Sequence, residues 1–131
     1  MASTKSEGER TRRAILGDAH VDTAIARTTD FDAPFQDLIT ASAWQRVWSR
    51  PEWSHRERSM VTIALLAALG HEEELAMHVR ATANTGASES DIREALLHVA
   101  IYAGVPAANT AIRIAKSTLA EMNATQGGTK S

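Results

Sequence analysis

Apolar residues recur three and four positions apart through most of this chain, and this spacing most constrains its fold. Phe35, Leu38, Ile39, Ala43 and Val47 form one such series. The spacing places side chains on one face of an α-helix, whereas the alternation typical of half-buried strands is nearly absent. We therefore predict an all-α protein, a compact single-domain bundle of about six helices joined by short loops.

Turn-forming residues mark the ends of the predicted helices. Gly70 and Gly86 stand where a left-handed residue closes a helix, and Pro106 suits a first helical position. Ser88 is a candidate N-cap, with Asp91 three residues later near the positive end of the helix dipole. The helices are predicted at about residues 8–28, 33–49, 54–69, 72–84, 89–104 and 106–122.

Both ends of the 131-residue chain are small and polar, which is typical of flexible tails. We expect a folded domain at residues 10–123 between tails at residues 1–9 and 124–131. The first ten residues lack the apolar segment of a signal peptide, so we expect a cytoplasmic protein. The longest apolar run, residues 60–69, would span about 15 Å as a helix, which is about half of a membrane core.

Charge and cysteine content argue against several functional classes. Fourteen basic and sixteen acidic residues give a formal net charge of -2, with no sustained basic run. A nucleic-acid partner is therefore not expected. The sequence contains no cysteine, which removes disulfides, thiolate nucleophiles and thiolate zinc sites from consideration.

Glu74 and His78 are four residues apart, so their side chains share one helical face. A carboxylate that accepts a hydrogen bond from one imidazole nitrogen makes the other nitrogen more basic, as a general acid or base requires. The alternative is a surface pair worth about 0.2–0.5 kcal/mol, and spacing alone favours that alternative. His71 shares the face but lies roughly 10 Å from His78 along the axis, so we expect no metal site.

Other polar and aromatic residues occur within or beside the apolar helices, and each is compatible with two roles. Arg58 precedes the apolar run and either binds an anion or forms a surface salt bridge. His98 and Tyr102, one turn apart in a segment that is apolar almost all round, are expected in the core or at an interface. Three tryptophans within residues 44–53 favour packing or a subunit contact over stacking on nucleic-acid bases.

Four segments carry a resemblance that extends over about residues 11–120: "RRAILGDAHVD", "FQDLITASAWQRVWSRP", "RSMVTIALLAALGHEEELAMHVRAT" and "HVAIYAGVPAANTA". Together and in this order they resemble the carboxymuconolactone decarboxylase family of the alkylhydroperoxidase-like superfamily. The resemblance implies an all-helical subunit of a ring-forming homo-oligomer, a hexamer or alternatively a trimer. It also implies cofactor-independent decarboxylation of 4-carboxymuconolactone to β-ketoadipate enol-lactone in protocatechuate catabolism. A related decarboxylase or isomerase for another small lactone or oxo acid, or a non-catalytic helical oligomer, remains an alternative.

The resemblance also implies roles for individual residues. His78 matches the active-site histidine and Glu74 the carboxylate before it, at the place of the second cysteine of a CxxC motif in redox relatives. Arg113 stands where family members often carry histidine, which could alter the charge of the pocket. Trp44 and Asn109 fall on family-like positions without an assigned role. The residues that the resemblance assigns to binding a lactone dicarboxylate are Arg58, His20, Trp48, Arg50, Tyr102 and Arg113.

Overall fold

A computed structural model describes residues 6–129, which form seven α-helices and one π-helical segment without any strand. The all-α prediction is confirmed. In chain order the elements are α1 (Glu7–Leu16), α2 (Asp18–Arg27), α3 (Ala33–Ile39), the π-helical segment (Thr40–Trp48), α4 (His55–Leu69), α5 (Glu72–Thr85), α6 (Glu89–Tyr102) and α7 (Val105–Thr129). No helix within residues 6–129 is long and apolar enough to cross a membrane.

Contacts between Cα atoms divide the predicted single domain into two compact units, one ending at His55 and the other beginning at Arg56. In the first unit, α1 packs against the π-helical segment and against α2. Its buried apolar side chains include Ile15, Val21, Trp44 and Trp48.

Gly17 divides the first predicted helix into two. Its φ of 92° lies in a region that L side chains rarely adopt, and its N–H donates to the Arg13 carbonyl at 2.9 Å to close α1. The prediction of one helix over residues 8–28 was therefore wrong. Ile15 of α1 and Val21 of α2 are both buried, so buried apolar positions occur on either side of the break.

The second predicted helix, residues 33–49, begins as α3 and changes to π-helical geometry at Thr40. Trp44 and Trp48 lie in this segment with ring centroids 5.4 Å apart and ring planes inclined by 36°. The Ser49 hydroxyl donates to the Trp44 carbonyl at 2.7 Å and also hydrogen-bonds the Thr11 hydroxyl of α1 at 2.7 Å. The end of this segment is thereby attached to α1.

In the second unit, α5 and α6 both pack against α7. The core contains Ile63, Leu75, Ile92 and Leu96, each at most 2% exposed. From α7, the residues Ala108, Ala111 and Ala115 enter this core, and we call them the alanine seam. Their small side chains allow close approach between helices at these positions.

The predicted helix ends in the second unit are largely confirmed. Gly70 and Gly86 have φ values of 76° and 85°, and the Gly86 N–H donates to Thr82 at the end of α5. Ser88 and Asp91 form the reciprocal capping box at the start of α6. Pro106 lies in the first turn of α7, one residue after its start.

α7 continues to Thr129, beyond the predicted end at residue 122. Residues 124–129 are therefore helical in the structure, where a flexible tail was predicted, and residues 7–9 already belong to α1. The remaining parts of the predicted tails, residues 1–5 and 130–131, lie outside the described residues.

Candidate active site

His78 is a buried polar residue in the middle of α5, with only 7% of its surface exposed. Leu75 and Thr82, three positions before and four positions after it on the same helical face, are also buried, and α5 packs against α7. The Thr82 hydroxyl donates to the Val79 carbonyl at 2.6 Å, which satisfies one polar group of this face internally. The imidazole is therefore largely shielded from solvent, and its Nδ1 is buried.

Glu74 lies one turn before His78 but is exposed. Glu74 forms none of the ion pairs found within residues 6–129, so its predicted contact with His78 stays a prediction. Glu74 lies in the first turn of α5, whereas His78 lies one turn further into the helix, where the buried residues continue to Thr85. Among the described residues, no group of three or more His, Asp or Glu side chains is arranged to hold a metal ion.

Arg58 and Ser59 lie where the buried face of α4 begins, in the second unit. Arg58 is half-buried, and Ser59 is completely buried, followed on the same face by buried Ile63 and Ala67. The Ser59 hydroxyl makes no hydrogen bond within residues 6–129. Ser59 was not predicted as a site residue, although its spacing of four and eight residues from Ile63 and Ala67 indicates a buried position.

Arg113 is exposed on α7, where it lines a cavity of about 330 Å³ together with Arg80 and three carboxylates. One of these carboxylates, Glu121, pairs with Arg80 at 3.9 Å. His78 is not among the residues that line this cavity. The structure therefore gives Arg113 a mixed-charge surface site, and its predicted role in substrate binding stays a prediction.

Tyr102 ends α6 with 84% of its surface exposed. Its ring stacks on that of His98, with centroids 6.1 Å apart and planes within 11°. A core position for this pair was therefore wrong, and the alternative of an interface stays open. A contact of Tyr102 with substrate stays a prediction.

The remaining predicted binding residues lie in the first unit. Trp48 is buried, with its ring 6.3 Å from that of His55. Arg50 is exposed and lies 3.6 Å from Glu52, and His20 is exposed on α2. Their roles in substrate binding stay predictions.

Comparisons with known proteins decide which family these helices represent. The model of the carboxymuconolactone decarboxylase family matches residues 33–117, more than half of the chain. The chain belongs to this family. Every predicted site residue except His20 falls inside the matched range. The matched range thus extends from α3 to about the middle of α7.

Three curated relatives of this carboxymuconolactone decarboxylase family member are informative. A 4-carboxymuconolactone decarboxylase of Acinetobacter baylyi is 41% identical over 116 residues, which cover 88% of this chain and 87% of that protein. A nitrosuccinic acid decarboxylase of Metarhizium robertsii is 38% identical over 116 residues, covering 88% and 81%. A 4-carboxymuconolactone decarboxylase of Pseudomonas putida is 50% identical over 36 residues, covering 28% and 75%.

Proposed function

We propose that this protein is a carboxy-lyase that decarboxylates 4-carboxymuconolactone to β-ketoadipate enol-lactone in protocatechuate catabolism. The observation that carries this proposal is the 41% identity to an enzyme of that name over nearly the full length of both chains. The match in the Pseudomonas putida enzyme supports the same substrate. The reaction that we propose needs no cofactor, because the substrate contains its own electron acceptor.

The chemistry explains why a small helical protein suffices. The bond between the γ carbon of the lactone ring and its carboxylate breaks and releases carbon dioxide. The electron pair moves through the ring double bond to the lactone carbonyl and forms a dienolate. A proton then adds at the α carbon, giving the enol-lactone. The protein must anchor the remaining carboxylate, surround the departing one with apolar groups, and deliver the proton.

The second unit contains candidates for the carboxylate anchor and for the proton donor. His78, buried in the middle of α5, is our candidate for proton donor or for stabiliser of the lactone oxygen. Arg58, half-buried on α4, is our candidate anchor, because a guanidinium binds a carboxylate through two parallel hydrogen bonds. Glu74 would orient the imidazole after a rotamer change that brings its carboxylate back across the shared helical face.

The similarity to a nitrosuccinic acid decarboxylase favours a second candidate reaction. Nitrosuccinate is also a small dicarboxylate, and its nitro group can accept the electron pair as the lactone carbonyl does. A buried acid beside a carboxylate anchor would serve either substrate. The greater identity to the lactone enzyme places that reaction first.

We also propose that the working form is a homo-oligomer, a hexamer or alternatively a trimer. On α6 and the start of α7, Ile101, Tyr102 and Val105 are 77%, 84% and 67% exposed, and Leu97 is half-exposed nearby. Contiguous exposed apolar side chains of this size are typical of protein interfaces. A second copy of the chain is the occupant that we propose, because the family resemblance implies a ring of identical subunits.

A turnover assay tests the proposed reaction. Purified protein without added metal should consume 4-carboxymuconolactone and release carbon dioxide, followed by ultraviolet absorbance and mass spectrometry. Nitrosuccinate, assayed in parallel, should turn over more slowly. Faster turnover of nitrosuccinate would favour the second candidate. A folded protein that leaves both compounds unchanged would contradict the decarboxylase proposal and support the non-catalytic alternative.

A further inference from the structure

Two adjacent arginines of α1 have opposite surroundings. Arg13 binds three carboxylates, with Glu9 at 3.2 Å, Asp18 at 3.0 Å and Asp22 at 2.9 Å. Arg12 is buried, with only 9% of its surface exposed, yet it forms no ion pair within residues 6–129. Three carboxylates thus pair with Arg13, whereas none forms a direct ion pair with Arg12.

The contacts of Arg12 do not offset the energetic cost of burying its positive charge. Its Nη2 donates to the neutral amide oxygen of Gln36 at 3.1 Å, and its buried Nε makes no hydrogen bond within the described chain. Burial first, and the charge of Arg13 second, lower the pKa of Arg12, which the charge of Glu9 offsets in part. A buried cation is unfavourable unless an anion pairs with it.

Arg12 lines a cavity of about 560 Å³ in the first unit. This volume lies in the range of small-molecule sites. Val21, Ile25 and Ala33 provide apolar lining, and Gln36 supplies an amide beside Arg12. The site thus combines a buried cation with apolar walls, which suits a ligand with an acidic head and a short apolar body.

The acidic residues that line the same cavity restrict its ligands. Glu9 is already bound to Arg13, whereas Asp37 is exposed and forms no ion pair within residues 6–129. A second negative charge on the ligand would meet the Asp37 carboxylate without a further cation among the lining residues. The cavity therefore favours one negative charge over two.

We propose that this cavity binds a small monocarboxylate, with Arg12 as its anchor. The ligand carboxylate accepts hydrogen bonds from the guanidinium of Arg12, and the apolar body of the ligand contacts Ile25 and Ala33. This preference is opposite to that of the reaction proposed above, whose substrates are dicarboxylates. The binding site and the decarboxylase activity can consequently fail independently.

Calorimetric titration of the full-length protein with hexanoate tests the site, with succinate as a dicarboxylate probe. Hexanoate should bind at about one per chain, and Arg12→Gln should weaken it by about tenfold or more, since a charged hydrogen bond is worth roughly 1.5–3 kcal/mol. Succinate should bind more weakly than hexanoate. Arg27→Gln, which removes the same charge from an exposed position on α2, is the matched control and should leave hexanoate binding unchanged.

A second variant keeps the test decisive if Arg12→Gln fails to fold. Ala41, an exposed residue that lines the cavity, can be enlarged by Ala41→Leu, which should also weaken hexanoate without removing Arg12. Absence of hexanoate binding to the wild-type protein would overturn the proposal. So would wild-type affinity in both cavity variants, or a preference for succinate. If hexanoate does not bind and Arg12→Gln lowers the mass of the oligomer in light scattering, Arg12 belongs to a subunit contact instead.

Discussion

Arg56, at the start of α4, holds Asp91, in the first turn of α6, through two parallel hydrogen bonds. The Arg56 Nε lies 2.8 Å from one carboxylate oxygen of Asp91, and Nη2 lies 2.7 Å from the other. The Ser88 backbone N–H also donates to Asp91, at 2.9 Å. These donors, Arg56 before Ser88, hold the pKa of the Asp91 carboxyl well below its ordinary value. One carboxylate thus joins the beginnings of two helices of the second unit.

The lowered pKa predicts acid sensitivity. A carboxyl with a depressed folded-state pKa stabilises the fold above its ordinary pKa of 3.8, and this contribution is lost as pH falls through the folded-state value. Asp91→Asn retains an acceptor for the cap but loses the charge. We expect lower stability at pH 7 and a smaller further loss below about pH 5, measured by urea unfolding. Glu94→Gln, exposed on the same helix, is the control, and an unchanged pH profile for Asp91→Asn would contradict the prediction.

The capping box makes a separate prediction for α6. The Ser88 hydroxyl accepts a hydrogen bond from the Asp91 N–H at 3.0 Å, which satisfies one of the first backbone donors of the helix. Ser88→Ala should lower the free energy of unfolding by about 1 kcal/mol. Ser90→Ala, at an exposed position in the same turn, should have a much smaller effect. Equal effects of the two substitutions would show that the cap does not stabilise the helix.

Gly8 predicts a packing conflict in the first unit. A Cβ at this buried position of α1 would lie 2.5 Å from the Thr40 carbonyl oxygen and 3.0 Å from the Gln45 Cβ. Alanine favours helices over glycine by about 1 kcal/mol, but overpacking typically costs about 1–3 kcal/mol. Because the closest atom is backbone, we expect Gly8→Ala to destabilise the protein in urea unfolding. A more stable variant would show that α1 and the π-helical segment can separate at little cost.

The proposed proton donor predicts a loss of activity without a loss of fold. His78→Ala should reduce turnover of 4-carboxymuconolactone by about 10² to 10⁴, the usual contribution of a positioned acid. Circular dichroism should show the helical content of the wild type. His71→Ala removes an exposed histidine before α5 and should retain activity. A folded His78→Ala enzyme with wild-type turnover would remove His78 from the mechanism.

The exposed apolar residues at the end of α6 and the start of α7 predict which surface joins the subunits. Ile101→Glu places a charge on a residue that is 77% exposed in the single chain, and a buried unpaired charge opposes association. We expect a smaller mass in light scattering at equal concentration. Ala83→Glu, on the exposed side of α5, should leave the mass unchanged. An unaltered mass for Ile101→Glu would show that another surface joins the subunits.

Features encoded by short-range chemistry could be predicted from the sequence, and features that depend on packing could not. Gly86 and the pair of Ser88 and Asp91 act within one helical turn, so their residue types specify the observed ends. The π-helical geometry at Thr40 has no comparable signal, since ordinary helix-forming residues occupy that segment. The break at Gly17 was missed because a glycine within a periodic segment is also compatible with a continuous helix.

In the candidate site, too, local spacing could be predicted from the sequence, whereas burial and long-range contacts could not. The four-residue spacing indicates that Glu74 and His78 share a face, but it does not specify where that face ends. The burial of His78 and the exposure of Glu74 follow from the position of α5 against α7. The contact of Arg56 with Asp91 joins residues 35 positions apart, and no local pattern in the sequence predicts it.

The alanine seam of α7 has a consequence for how this fold can diverge. Ala108, Ala111 and Ala115 have little side chain to compress, so the backbones themselves determine how closely α7 approaches its neighbours. A larger residue at any of these three positions would need more space than the close-packed core offers, and we expect α7 to shift away from its neighbours as a unit. Arg113, on the exposed side of α7, would shift with the helix. A substitution in the core would then change the position of a charged group at the surface without contacting it.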